Sequence, residues 1–264
     1  MLLQAVLLRA AAAAAFLDSS PDAVSEMLAA HGVAADAAGG AAGSFSASHN
    51  ILLQVWWTSL FCLDALAVAA QGLVASALNE APAAPAGAGT DRRGEPARGN
   101  LARARAVCDR LFAYGLVSGV AVMLALLPST GAIARTFSQD AVVVEMASSA
   151  MLLVAVLQPL NGLVFVGDGV FQGALDFSYL AVSMAFASAA ALFVLGGVTA
   201  AAPHGAAAAA ALTPFETIWA AFAVLQVGRA AGIFWRYLNP LGLGPLRAPR
   251  GAAAARAGAG EEEE

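Results

Sequence analysis

Lysine is absent from this 264-residue chain, cysteine occurs twice, histidine three times, and only 12% of the residues are charged. Each shortage excludes something. No histidine stands beside cysteines or carboxylates at ligand spacing, so no metal site is expected. Cys62 and Cys108 fall at the middle of one apolar block and the start of another, which suits buried thiols and not a disulfide framework. A phosphate-cradling glycine loop, a Ser/His/Asp order and a helix with two histidines four apart are all missing, so an enzyme is not expected. What the chain has is hydrocarbon. Sixty per cent of it is hydrophobic, with a mean hydropathy of +0.74, which is not a soluble composition. The net charge of −5 says little about partners, because four of the acids are the terminal Glu261 to Glu264 run.

The apolar residues come in blocks of membrane-spanning length. A bilayer core about 30 Å thick needs roughly 20 residues of helix, since every backbone N–H and C=O in lipid must be paired within the segment. Six blocks qualify for an all-α polytopic membrane protein: Leu2 to Leu17, Ile51 to Leu78, Val107 to Leu127, Ala141 to Val166, Tyr179 to Ala200 and Phe215 to Trp235. Arg9 lies inside the first block and not before it, which argues for a span over a cleaved signal. Helix-ending sequences separate the blocks: Pro128-Ser129-Thr130-Gly131, Pro203-His204-Gly205 and Asn239-Pro240. Residues 18–50 read as a loop insertion, 79–106 as an Arg-rich cytosolic loop and 239–264 as a disordered tail, being Ala/Gly/Pro/Arg-rich without periodicity.

Orientation follows from the arginines. Arg92, Arg93, Arg98, Arg103, Arg105 and Arg110 crowd the second connection, and Arg236, Arg247, Arg250 and Arg256 the tail, whereas the opposite loops carry only Arg135. Four spans separate the two regions, which places both on the cytosolic side, and the N-terminus with them if the first block spans.

A carboxylate at mid-bilayer costs about 2.5–3.5 kcal/mol on insertion scales, so polar residues within spans are functional candidates. In the second span Gln54, Trp57, Asp64 and Gln71 fall within a sector of roughly 100°, which should face water or other helices. In the fourth, Asn161 and Asp168 share a face with Gln158 close by, beside the helix-breaking Pro159. For the second-span residues the alternatives are a solute or ion pathway and interhelical hydrogen bonding; the kink and polar face of the fourth suit a binding site, against which Asp168 reads as a loop-side cap at the membrane surface. Arg229 and Arg236 read as snorkelling to headgroups, and Trp56, Trp57, Trp219 and Trp235 as an interfacial belt.

Several of these segments resemble one family. Leu53-Gln54-Val55-Trp56, Leu63-Asp64-Ala65-Leu66-Ala67 and Gln71-Gly72-Leu73-Val74-Ala75 resemble the eighth helix of multidrug and toxic compound extrusion (MATE) transporters of the DinF-like branch, which includes plant organic-acid exporters. Gln158-Pro159-Leu160-Asn161, Asp168-Gly169-Val170 and Gly173-Ala174-Leu175-Asp176-Phe177 are similar to the tenth helix and its following loop, and Val227-Gly228-Arg229 to the last helix. Gly167 stands where the branch usually has an aromatic, and Asn161 where the sodium-coupled branch has an acid. The resemblance implies one lobe, the C-terminal six helices, of an antiporter that exports small organic solutes, organic anions among them, against H⁺ or Na⁺. The site it implies comprises Gln54, Trp57, Asp64, Gln71, Gln158, Asn161 and Asp168, with no cofactor beyond the coupling ion. Its implied partners are the lipid bilayer, the solute and an N-terminal lobe or second copy, with no nucleic acid; its implied location is the plasma membrane or plastid envelope. The alternative is a truncated, non-transporting subunit or remnant.

Overall fold

Helices account for nearly all of the computed structural model, which describes residues 2–20, 25, 43–79, 98–201 and 214–239. In chain order these are α1 (Leu2–Asp18), α2 (Ser44–Asn79), α3 (Arg98–Leu126), a 3₁₀ turn (Leu127–Ser129), α4 (Thr130–Phe137), α5 (Ala141–Val156), α6 (Gln158–Gly173), α7 (Phe177–Ala201) and α8 (Pro214–Leu238). Four stretches are long and apolar enough to cross a membrane: Ser44–Asn79, Asn100–Phe137, Phe177–Gly197 and Phe215–Leu238. The pair α5 and α6 is a fifth candidate, apolar enough together to cross but bent by 50° at its break. The chain is an all-α integral membrane protein.

The first block lies where expected, and the boundaries of the next three shift. The first block is a helix of 17 residues, about 26 Å of rise, which falls short of the hydrocarbon thickness. It still buries a helical stripe of Val6, Ala10, Ala13, Ala14 and Leu17, packed chiefly on α7 and α2. The second span begins at Ser44 and not Ile51, because Phe45, Ser48 and His49 continue the buried face of α2 one turn after another. Asp18 closes that end: its carboxylate accepts from the Phe45 and Ser46 backbone N–H at 2.9 and 3.0 Å, the service an N-cap residue would perform. The third begins at Arg98, inside the expected loop, and Pro128 does not end it. The proline sits in a single 3₁₀ turn, and the chain resumes helix to Phe137. The fourth is two helices. Pro159 lacks the N–H that would continue α5, so α5 stops at Val156 and α6 restarts at Gln158, running on to Gly173. The expected disordered tail beyond Asn239, and most of the two expected loops, lie outside the described residues.

α6 is the axis of the bundle. It packs most heavily on α2 and α3, and next on α8. Glycines permit this closeness. A Cβ on Gly115 of α3 would come within 2.7 Å of the Gly162 carbonyl oxygen, one on Gly119 within 2.6 Å of the Pro159 Cα, and one on Gly173 within 2.5 Å of the Gln71 carbonyl oxygen. Small residues let membrane helices approach backbone to backbone, where dispersion replaces the absent hydrophobic drive. Gly167, in place of an aromatic, gives Ile233 of α8 its seat. Two apolar cores result. One gathers α1, the first half of α2, α5 and the first half of α8 around Trp56, Trp219 and Phe222; the other gathers α3, α6 and the last turns of α2 and α8.

Candidate functional site

The polar residues singled out in the second and fourth spans separate into two systems on different sides of the α2–α6 contact. On α2, Gln54, Trp57, Asp64 and Gln71 are all exposed, Trp57 at 38%. No other described helix of this chain covers them. Phe61 and Val68 interleave in the same exposed sector, at 69% and 63%, so the face is amphipathic and not purely polar. It stays exposed because the opposite stripe, from Leu52 through Trp56, Leu63, Ala67, Ala70 and Val74, is the one that α3, α5 and α6 bury.

The second system is buried and continuous. At the α5–α6 break the Gln158 side-chain amide donates to the Val154 carbonyl at 3.0 Å, supplying a partner to a carbonyl in the last turn of α5. Asn161, one turn on, donates through Nδ2 to Gln158 Oε1 at 3.3 Å, and its own Oδ1 accepts from Gln226 Nε2 of α8 at 2.6 Å. Gln226 Oε1 in turn accepts from Arg229 Nη1 at 2.8 Å, and Arg229 Nη2 pairs with Asp168 of α6. Gln158, Asn161 and Gln226 are all at most 1% exposed. Five side chains from two helices thus form one chain of hydrogen bonds, each member satisfying the next, which is the condition for burying polar groups cheaply.

Arg229 is the main correction to the sequence reading. It does not snorkel: it is 9% exposed, ion-paired to Asp168, and lies over the Phe165 ring at 5.7 Å. Nine residues of helix separate it from the end of α8, about 14 Å, which is too far for the guanidinium to prefer the headgroups over a carboxylate at hand. Arg236 is also engaged, with Asp176 at 2.8 Å and over the Tyr179 ring at 4.7 Å. Trp56 and Trp219 are core residues at 4% and 0% exposure, so only Trp57 and Trp235 of the four keep the exposure a belt requires. Gln226 stands three residues from Arg229 and so shares its face, a same-face spacing as legible in the sequence as that of Asn161 and Asp168.

Asp168 and Arg229 also line a pocket of about 310 Å³ between α6, α7 and α8, walled by Leu180, Ala181, Met184 and Ile233 with one hydroxyl from Ser183. Asp64 and Gln71 do not reach it.

Comparison with known proteins fits a chain of membrane helices with polar interiors. Protein DETOXIFICATION 42 of Arabidopsis thaliana is 30% identical over 190 residues, 72% of this chain and 31% of that protein. Protein DETOXIFICATION 43 of the same plant is 30% identical over 205 residues, 78% of this chain and 33% of that protein, and the chloroplastic Protein DETOXIFICATION 44 is 32% identical over 138 residues, 52% and 23%. The chain therefore spans about a third of the length of the first two relatives. No solved structure matches. The MatE family model covers residues 97–198, which hold α3 to α6 and most of α7 and with them the α5–α6 break, Gln158, Asn161 and Asp168; with this match and those relatives, the chain belongs to the MatE family, whose members are transporters and not enzymes.

Proposed function

We propose that this chain supplies the C-terminal lobe of a cation-coupled antiporter of the DinF-like branch that exports small organic solutes against H⁺ or Na⁺. The observation that carries the proposal is the exposed face of α2. Gln54, Asp64 and Gln71 stand on a membrane-spanning helix with no covering helix among the described residues, where lipid contact would be costly. A second bundle packed across a water-filled cleft removes that cost, and alternating access by two rocking bundles needs such a cleft. Asp64 is the titratable group on this face and the candidate for the coupling ion. The buried chain from Gln158 and Asn161 to Asp168 serves in this reading to hold the broken helix behind the cleft. The second lobe is a separate N-terminal bundle or another copy of the chain; the Arg-dense segment and the C-terminus are cytosolic, and the N-terminus joins them if α1 crosses. The membrane is the plasma membrane or the plastid envelope, and the relative named chloroplastic supports the second. Organic anions are among the solutes proposed, by the branch's resemblance alone.

The test is export in the assembled transporter. Asp64→Asn is expected to reduce solute export at least about tenfold, the equivalent of 1.4 kcal/mol of barrier, with membrane insertion unchanged. Unchanged export removes Asp64 from the pathway. Cross-linking in native membranes tests the lobe: a chain without any partner supports the alternative, a non-transporting remnant.

A further inference from the structure

We propose that the pocket between α6, α7 and α8 is a binding site for a compact, uncharged amphiphile carrying one group that both donates and accepts a hydrogen bond, such as an aromatic carboxamide. The site is distinct from the α2 face on which the transport reading rests.

The argument begins with size. At about 310 Å³ the pocket is at the small end of ligand sites, which run from about 300 to 1,000 Å³, and it admits a single ring with a polar substituent more readily than a branched polyanion. Its walls are mostly apolar, from Leu180, Ala181, Met184 and Ile233, so the ring is the part that gains by burial.

Charge comes next. The polar end is an ion pair, Asp168 with Arg229, both side chains at most 17% exposed. The pair is neutral as a unit. A carboxylate ligand would compete with Asp168 for Arg229, an ammonium would compete with Arg229 for Asp168, and either would leave a net charge in a desolvated site. Hydrogen-bonding capacity gives the complement. A guanidinium has five N–H donors and Arg229 directs two bonds, to Gln226 and Asp168, while Asp168 accepts through Oδ2 and its Oδ1 has no hydrogen bond among the described residues. Spare donors beside a spare acceptor match a group that is itself acceptor and donor. A primary amide is the simplest one with no charge at any working pH.

The experiment uses the full chain in phosphatidylcholine nanodiscs and ligand-observed NMR titration at pH 7 with benzamide, benzoate and benzylammonium, three probes of one size that differ in charge. Benzamide is expected to bind saturably and at least about tenfold more tightly than either ion. Filling the pocket by Ala181→Trp or, independently, Leu180→Trp should remove benzamide binding, whereas Val182→Trp on the neighbouring exposed position should leave it intact. Circular dichroism confirms that each variant keeps its helices. Equal affinity for an ion, no saturable benzamide signal, or retention of binding in both filled variants overturns the proposal. Because no step requires transport, these outcomes leave the antiporter reading untouched, and loss of export in Asp64→Asn leaves this one untouched.

Discussion

Gly115 of α3 and Gly162 of α6 lie backbone against backbone, so close that a Cβ on Gly115 would come within 2.7 Å of the Gly162 carbonyl oxygen. Nothing but hydrogen fits between them. Gly162→Val is therefore expected to force the two helices apart and to cost about 1–3 kcal/mol or more, whereas Gly72→Ala, at a site with nothing within 4 Å, should gain up to about 1 kcal/mol from helix propensity. Thermal unfolding in detergent, followed by helical ellipticity, compares the two.

The Asp168–Arg229 pair carries a non-additive signature. Asp168→Asn leaves a guanidinium charge buried without its counter-ion and Arg229→Gln leaves a carboxylate, each expected to cost about 3–5 kcal/mol. The double variant removes both charges together and should be more stable than the sum of the singles, by a coupling of about 1–3 kcal/mol in a double-mutant cycle. Strict additivity would show that the pair is not one interaction.

Gln226 is the bridge between the ion pair and the broken helix. Gln226→Leu keeps the volume but leaves Asn161 Oδ1 without its donor, and the expected cost is about 1–3 kcal/mol. Local opening at the α5–α6 break should rise with it, read as faster amide exchange around Leu157 to Asn161.

Two caps fix helix starts. Asp140 accepts from Val142 N–H at 2.8 Å at the start of α5, and Asp18 reaches from α1 to the start of α2. Asp140→Ala and Asp18→Ala should each cost about 0.5–2 kcal/mol. The Asp18 variant should additionally loosen α1, because that cap is also a tertiary tie; limited proteolysis between α1 and α2 reports on it.

Leu175, with φ 60°, is the one described non-glycine residue in the left-handed region. It closes α6 by a Schellman turn, in which Asp176 N–H donates to the Phe171 carbonyl at 2.9 Å and Leu175 N–H to the Gln172 carbonyl at 3.0 Å. Its side chain is 76% exposed, so little packing depends on it. Leu175→Gly should raise stability by up to about 1 kcal/mol by relieving the Cβ clash, and Leu175→Val should lower it. The melting temperatures of the two variants should move in opposite directions.

What the sequence by itself determined is the membrane, the helical class, and the places where helices bear polar faces. Each is a one-dimensional property. Twenty apolar residues must cross as helix whatever surrounds them, a seven-residue spacing puts Asp64 and Gln71 on one face of any helix, and Pro159 must break whichever helix contains it. Tertiary structure decided which way those faces turn and what they meet. Periodicity gives a residue's angle about its own axis but not the neighbour at that angle. The same spacing therefore left the α2 set exposed, while the α6 set closed on Gln226 and Arg229 some sixty residues later in the chain. Arg229 shows the limit most clearly. On α8 taken alone the headgroup region is the one partner in view for its charge, and only the packing of α8 across α6 brings a carboxylate within reach.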